Sequence, residues 1–505
     1  MKRYFLLMLC VCAAMVANAQ HDDSDLMKGF KSYRDSLFGD YKNFRDKAME
    51  DYVAFRDKVM ADYIEFVRSM WEERDDNDPV PEPKIDPVPP PIAPPPVIDD
   101  DLAPKVEPLE IDTIYPPVIL EPEPQPIPVE PIVAPPAPVE VEECVEFMLF
   151  GTPIKVRFDK AERVELRSLN ESAVANALEK MVTDATDRAI LDCLEARERL
   201  ALSDWAYIQM LRALATEVYG SYSNSAVLFM SYVYMRSGYK MRLAMDSNRL
   251  YMLYATEHVV FNRPSYSLDG AEYYCLEDLP PTLQVCRASY MGETPLSLVI
   301  STNQLFAGNE VKGKAVLSKK YADMSAAVSL NSNLLDFYST YPKSMIGNSM
   351  LTCWAMYAKA PIDKKVSEQL YGQLRGAVKG LSELEAVNKI LDFVQTGLVY
   401  EYDDKVWGGD RPFFAEESLY YEYADCEDRS ILFSRLVRDL VGLDVALLVV
   451  PGHMLAAVRF NGDVSGSSID IDGEKFVICE PTCLNGASVG WCGIAENTKI
   501  SVIRL

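Results

Sequence analysis

The residues best suited to covalent chemistry lie near the C-terminus of the chain. The 505 residues include only three histidines, His21, His258 and His453, so an imidazole-dependent reaction must use one of them. Cys426 comes directly before an apolar helical pattern and is predicted at a helix N-terminus. There the helix dipole favours thiolate over thiol, and unpaired backbone N–H groups can receive an oxyanion. Cys426 is therefore the candidate nucleophile.

Two further residues could complete a cysteine triad. His453 lies between two β-rich runs, and Glu480 follows the next such run. A nucleophile, a base and an acid that orients the base are the parts that this catalysis needs. The carboxylates beside the thiol oppose it, because nearby negative charge raises a thiol pKa. They are Asp425, Glu427 and Asp428. We therefore expect the imidazole to activate the thiol, with sulfur and ring nitrogen within about 4 Å of each other.

The surrounding pattern predicts the elements that hold these residues. Ser382 and Glu385 form a predicted capping box that begins a helix ahead of the site. An irregular stretch follows, and then the Cys-bearing helix and a series of β-rich runs. These runs span 445–450, 454–460 and 476–479. The order is helix, Cys-bearing helix, strand, histidine, strand, acid.

The segment from about residue 385 to residue 490 resembles the transglutaminase-like superfamily of cysteine enzymes, in its microbial version. The matching motifs are Asp-Cys-Glu-Asp at 425–428, Gly-His at 452–453 and an acid-Pro-Thr triplet at 480–482. The resemblance implies an α+β fold of transglutaminase-like (papain-like) type, in which the Cys-bearing helix packs on an antiparallel sheet.

The same resemblance assigns roles to single residues. Cys426 is implied to be the nucleophile, His453 the base and Glu480 the orienting acid. The family's usual acid is Asp, so Asp470 or Asp472 is the alternative for the third role. This chemistry requires no cofactor, and the sequence shows no calcium-binding or phosphate-binding loop, so no cofactor and no metal are predicted.

A second, related half is predicted upstream. Residues 227–229 resemble residues 431–433 at an offset of 204 residues, and Gly238 corresponds to Gly442. Tyr222 stands where the downstream half has its cysteine, and the upstream histidine is out of register. This half is therefore expected to be catalytically inactive.

The first nineteen residues have the pattern of a signal peptide. A basic start is followed by 13 apolar residues, Tyr4 to Val16, and by the small-x-small triplet 17–19. The apolar stretch is too short to span a bilayer. The mature chain is expected to be exported, and therefore periplasmic, on the cell surface or secreted, with no transmembrane span.

Export favours disulfides. Of the 11 cysteines, Cys10 and Cys12 belong to the signal peptide, which leaves an odd number in the mature chain. We predict disulfide bonds, with Cys426 as the thiol left over. The spacing of Cys479, Cys483 and Cys492 matches no common zinc module.

Aromatic pairs at a fixed step of eleven residues define an N-terminal arm. The pairs include Tyr41/Phe44 and Tyr52/Phe55. Such a stripe predicts a long helix, from about residue 25 to residue 73, in a straight or gently right-handed coiled coil. The arm cannot bury the stripe alone, so it is predicted to associate with itself or with a protein partner.

The linker after the arm holds 22 of the 32 prolines, between Pro79 and Pro138. Proline runs and acidity favour an extended polyproline II spacer. The predicted segments are thus a signal peptide (1–19), a helical arm (20–76), an acidic proline-rich linker (77–141), a degenerate half (142–345) and a transglutaminase-like domain (346–505).

The composition excludes some functions and leaves two open. With 76 acidic and 50 basic residues, the net charge of −26 disfavours nucleic-acid binding. The preferred hypothesis is an exported cysteine hydrolase, peptidase or acyltransferase that acts on amide or peptide bonds, with a protein or peptide substrate that could belong to the cell wall. The alternative is a non-catalytic envelope scaffold that uses an inactive domain for binding.

Overall fold

The computed structural model describes residues 24–92, 143–494 and 498–505. The predicted signal peptide and most of the predicted linker lie outside these residues. The described residues up to Asp62 belong to one compact unit, and those from Tyr63 onward to another.

The described residues form a mixed α+β structure in which the paired strands of every sheet are antiparallel. The helices are α1 (Ser24–Ser69), α2 (Glu171–Met181), α3 (Asp184–Arg199), α4 (Asp204–Tyr219), α5 (Asn224–Arg236), α6 (Ser332–Ser339), α7 (Leu351–Lys359), α8 (Lys364–Val378), α9 (Glu383–Gly397), α10 (Asp403–Val406) and α11 (Cys426–Leu440). No helix among the described residues has both the length and the apolar character needed to cross a membrane.

The strands fall into two larger sheets and three small pairs. The upstream strands are β1 (Trp71–Arg74), β2 (Cys144–Leu149), β3 (Thr152–Arg157), β4 (Met241–Met245), β5 (Leu250–Thr256), β6 (His258–Val260), β7 (Ser265–Leu268), β8 (Ala271–Cys275) and β9 (Leu283–Cys286). The downstream strands are β10 (Glu310–Leu317), β11 (Ser325–Asn331), β12 (Ser344–Ile346), β13 (Asp444–Val450), β14 (His453–Arg459), β15 (Ser468–Ile471), β16 (Glu474–Cys479) and β17 (Ser501–Arg504).

The predicted long helix is present as α1, whose 46 residues extend about 70 Å at 1.5 Å per residue. Near its C-terminal end Tyr63 and Val67 are buried, and the ring of Tyr63 meets that of Tyr290 edge to face at 5.9 Å. After Ser69 the chain becomes strand β1, which pairs with β9. The expectation of a helix to residue 73, separate from the globular part, is therefore wrong for this end, because the edge of the sheet offers hydrogen bonds to the chain.

The upstream sheet has the strand order β1-β9-β4-β5-β8-β7, helix α5 packs on its strands β4 and β5, and helix α4 packs on α5. Helix α5 is apolar and buried almost along its whole length, because it lies between the sheet and other helices. The core of this sheet includes Leu253, Tyr266, Tyr273 and Val285.

The downstream sheet has the order β15-β16-β14-β13-β17, with helix α11 packed on β13 and β14 and helix α9 packed on α11. The predicted capping box of Ser382 and Glu385 is present at the start of α9. Gly442 ends α11 with φ +78°, a left-handed conformation that suits glycine at a helix C-terminus. The sheet core includes Leu448 and Leu455.

None of the predicted disulfide bonds is present at Cys426 or at the six other cysteines named below. Cys426 is a free thiol, but the prediction that it is the one left over from disulfide pairing is wrong, because other cysteines are free as well. The other cysteines that are free thiols are Cys193, Cys275, Cys286, Cys353, Cys479 and Cys492. Cys426 is therefore not singled out by its redox state, and its position must distinguish it.

Candidate active site

Cys426 is the first residue of helix α11, as the sequence predicts. The helix begins with a capping box between Asp425 and Asp428, and Asp428 also accepts the backbone N–H of Phe413 at 2.9 Å. The fifteen-residue helix therefore starts at a fixed point, with its N-terminal N–H groups beside the thiol.

A buried arginine fixes the chain just before this helix. The Arg429 guanidinium donates to the backbone oxygens of Ala424, Gln395 and Leu398, each at 3.0 Å. The side chain is fully buried, and burial lowers the pKa of Arg429 to about 10. This arginine ties the Cys-bearing helix to the end of helix α9.

His453 is the first residue of β14, directly after the two-residue turn from β13. Ser430 of α11 donates its hydroxyl to Met454 O at 3.2 Å, which joins the Cys-bearing helix to this strand. The thiol and the imidazole line one cavity.

Glu480 follows β16 and contacts the imidazole directly. Its Oε2 lies 2.9 Å from His453 Nε2. Its Oε1 accepts the Thr482 backbone N–H at 3.1 Å and the Thr482 hydroxyl. Gln395 holds the backbone oxygen of Glu480 at 2.8 Å. The acid is thus buried and fixed from three sides.

The alternatives for the third role are engaged elsewhere. Asp470 accepts the Gly473 backbone N–H in a hairpin turn, and Asp472 pairs with Arg504 at 2.8 Å. Neither lines the cavity.

The thiol and the imidazole are not hydrogen bonded to each other. The Cys426 thiol donates to Glu427 Oε2 at 3.1 Å, whereas His453 Nδ1 is buried without a partner. Burial, then the carboxyls of Glu427 and Asp425, raises the pKa of the Cys426 thiol well above its ordinary value. In this arrangement the thiol is protonated at neutral pH.

Part of the cavity wall is acidic. Carboxylate oxygens of Asp403, Asp410 and Glu427 lie within 4.8 Å of one another, close enough to share a cation. Burial raises the pKa of Asp403 to about 6 and the pKa of Glu427 well above its ordinary value. The Lys343 ammonium pairs with Asp410 and supplies one positive charge there.

Sequence reasoning missed several cavity residues. Trp354 of α7 lines the cavity, and its buried indole N–H has no partner. Tyr400 and Asp404 come from the irregular stretch before α11, and Ile85 and Pro87 come from the predicted linker. Glu427 beside the thiol and the run Asp403-Asp404 were the local signals for the acidic wall, whereas the contacts made by the linker have no sequence pattern.

The chain matches no protein-family model, and comparisons with curated proteins and with solved structures found no match.

Proposed function

We propose that this chain is an exported transglutaminase-like cysteine enzyme that acts on amide or peptide bonds. The observation that carries the proposal is the His453–Glu480 pair, 2.9 Å long, on the wall of the cavity that contains Cys426. With Nε2–H donated to the carboxylate, the lone pair of the unpartnered Nδ1 is available to take the thiol proton.

The reaction proceeds through a thioester. The Cys426 thiol turns from Glu427 towards His453 Nδ1 and gives up its proton, and the sulfur attacks the carbonyl carbon. As the C–N bond breaks, the imidazolium returns the proton to the leaving amine. Water or a second amine then attacks the thioester, giving a carboxylic acid or a new amide and restoring the thiol.

Two features of the cavity bear on substrate choice. The unpartnered Trp354 indole N–H and the N-terminal N–H groups of α11 are donors for an oxyanion. The carboxyls of Asp403 and Glu427 disfavour an anionic group near the thiol, so the groups beside the scissile bond should be neutral or cationic.

The test uses a peptide probe in which an electrophile replaces the reactive amide. The adduct is mapped by mass spectrometry, and the thioester is trapped separately from a peptide amide with hydroxylamine. The adduct should form on Cys426, the peptide hydroxamate should be released into solution with the thiol restored, and neither should form in Cys426→Ser. The matched control is Cys479→Ser, which removes a buried free thiol at the end of β16. Labelling of Cys479 instead of Cys426 would overturn the assignment.

The rival function is a non-catalytic binding domain. The observation that favours it is the thiol hydrogen bond to Glu427, together with the raised pKa of Cys426. If neither adduct nor hydroxamate forms, even with the cavity opened as described below, binding is the better description.

We further propose that helix α1 is an assembly arm. Phe55 and Phe66 of its aromatic stripe are exposed. Full-length protein should sediment as an oligomer, and replacing Tyr41, Phe44, Tyr52 and Phe55 by serine should shift it towards monomer. Sedimentation as a monomer at all concentrations would leave only a foreign partner for the stripe.

A further inference from the structure

Residues 77–92, here called the strap, run from the upstream sheet to the candidate site. At the start, buried Asn77 donates to Tyr266 Oη and to Pro280 O, both at 3.0 Å. Val80 O then accepts the Asn262 backbone N–H at 2.9 Å. The predicted free spacer is therefore attached to the globular part over its first residues.

The next contact is ionic. Glu82 Oε1 lies 2.5 Å from the ammonium of Lys343, the same lysine that pairs with Asp410 on the cavity wall. The lysine side chain is only 13% exposed. This ion pair brings the strap to the edge of the cavity.

The strap then covers the cavity. Ile85 and Pro87 line it together with Cys426 and His453. The covered cavity has a volume of only about 60 Å³, which holds a few water molecules but no substrate side chain.

The contact closest to the imidazole is a backbone hydrogen bond. Val88 N–H donates to Gly452 O at 3.0 Å, one residue before His453. Gly452 has φ +73°, and a Cβ there would lie 2.3 Å from Asp86 O. Glycine is therefore required here both by the turn and by the close approach of the strap. Beyond the cavity, Pro91 O accepts the Leu484 backbone N–H at 3.4 Å.

We propose that the strap is an intramolecular occupant of the groove in which an extended polypeptide substrate binds. The inference rests on the proposed function and adds its regulation: Cys426 is latent while the strap is in place. The strap is extended and proline-rich, and one of its N–H groups bonds to the turn before His453. A substrate peptide that replaces it presents an apolar residue over the cavity and donates a backbone N–H to Gly452 O.

The test compares two matched variants of the full chain. Val88→Pro removes the N–H donated to Gly452 from the triplet Pro87-Val88-Pro89. Val80→Pro changes the identical triplet Pro79-Val80-Pro81, where the carbonyl rather than the N–H makes the backbone contact. The readout is the rate at which a bulky maleimide alkylates Cys426, mapped by peptide mass spectrometry. Val88→Pro should increase this rate about fivefold, the effect of one net hydrogen bond, and Val80→Pro should leave it unchanged.

A second measurement tests the occupant itself. A synthetic peptide of residues 80–92, added in millimolar excess, should slow the alkylation of Val88→Pro, and the same peptide with proline at position 88 should protect less. If Val88→Pro fails to fold, Glu82→Gln, which weakens the pair with Lys343, replaces it. Equal alkylation rates in wild type and the opened variant, or equal protection by both peptides, would overturn the inference.

Alkylation needs no catalysis, so the two proposals fail separately. Faster alkylation of Val88→Pro without any amide chemistry would refute the proposed enzymatic function and support the proposed role of the strap. Amide chemistry in wild type at the same rate as in Val88→Pro would support the enzymatic function and refute the role of the strap.

Discussion

Apart from strand β1, which only the upstream sheet has, the upstream and downstream sheets share one strand order but differ in what their loops carry. The helix Asn224–Arg236 packs on β4 and β5, as the helix Cys426–Leu440 packs on β13 and β14. The upstream order β9-β4-β5-β8-β7 parallels the downstream order β17-β13-β14-β16-β15. This correspondence supports the duplication predicted from the sequence.

Strand register identifies the residues that correspond. Leu253 pairs with Cys275 as Ala456 pairs with Cys479. By this register Leu250 is the upstream counterpart of His453, the first residue of β14. Leu276 is the upstream counterpart of Glu480. Tyr222 occupies the position that corresponds to Cys426 when residues are counted back from Gly238 and Gly442, the glycines that end the two helices. The upstream half therefore has the scaffold without any of the three reactive groups.

The connections differ as much as the side chains. Between the paired helices the upstream half has only residues 220–223, whereas the downstream half has 398–425. The longer segment supplies Tyr400, Asp403 and Asp410 to the cavity. The two halves thus differ in their connecting segments as well as in their side chains, while their helices and strands have a similar arrangement.

The largest expected effect comes from a comparison in which the histidine of each half is replaced in turn. His453→Asn should lower the rate of amide-probe addition to Cys426 about 10³-fold at pH 7, because a general base is lost. His258→Asn should leave this rate unchanged. Its ring is buried in β6, with Nδ1 3.2 Å from Ser344 Oγ, and burial lowers its pKa to about 4. A large loss of labelling in His258→Asn would contradict the assignment of chemistry to one half.

The next effect is on stability. Arg429→Met leaves three buried carbonyls without their donor and should lower the free energy of unfolding by about 4 kcal/mol. The upstream counterpart, Ser225, makes only two hydrogen bonds. Ser225→Ala should therefore cost about 1 kcal/mol. Chemical denaturation measures both, and equal costs would show that Arg429 does not specifically hold the Cys-bearing helix.

The sequence was sufficient for the parts of the site that local pattern controls. Cys426 begins a helix, His453 begins a strand and Glu480 follows one, because capping residues and apolar periodicity act over a few residues. The contact between His453 and Glu480 depends on the pairing of β14 with β16, although β15 separates these strands in sequence, so it follows from the sheet topology and not from local pattern.

Contacts between distant segments could not be predicted in the same way. Helix α1 ends at Ser69 because the following residues pair with β9, more than two hundred residues away. The strap has the composition of a free spacer, and only its contacts with Lys343 and Gly452 show otherwise. The hydrogen bond from the thiol to Glu427 depends on a rotamer that no sequence pattern specifies.

A smaller effect depends on pH and comes from the segment that only the downstream half has. Glu416 is buried and accepts from Tyr338 Oη at 2.9 Å and from the Asp363 backbone N–H at 3.2 Å. Burial raises its pKa from 4.5 to about 7. The folded chain therefore keeps this proton to higher pH than the unfolded chain does, so stability falls as pH rises from about 4.5 to about 7.

Glu416→Gln should remove this part of the pH dependence. The variant should gain on wild type in free energy of unfolding as pH rises through that window, by at most about 3 kcal/mol, and the difference should stay constant above it. Denaturant unfolding at pH 5, 6, 7 and 8 measures the difference. Parallel curves for the two proteins would show that Glu416 is ionised throughout.

The smallest effect concerns Glu480, the acid that follows β16 and has no counterpart after the upstream strand β8. In the proposed mechanism Glu480 acts on Cys426 only through His453, so it is a positioning residue. Glu480→Gln keeps an oxygen for the imidazole N–H but removes the charge that stabilises an imidazolium, and should slow alkylation of Cys426 at pH 7 about tenfold, less than loss of the base. The deficit should shrink as pH rises towards the raised pKa of the Cys426 thiol, because hydroxide then ionises the thiol without the imidazole. A merely structural role would slow alkylation equally at every pH.

Glu480→Asp should recover part of the rate if charge matters more than reach, and Glu277→Gln, at the end of the upstream strand β8, should change nothing.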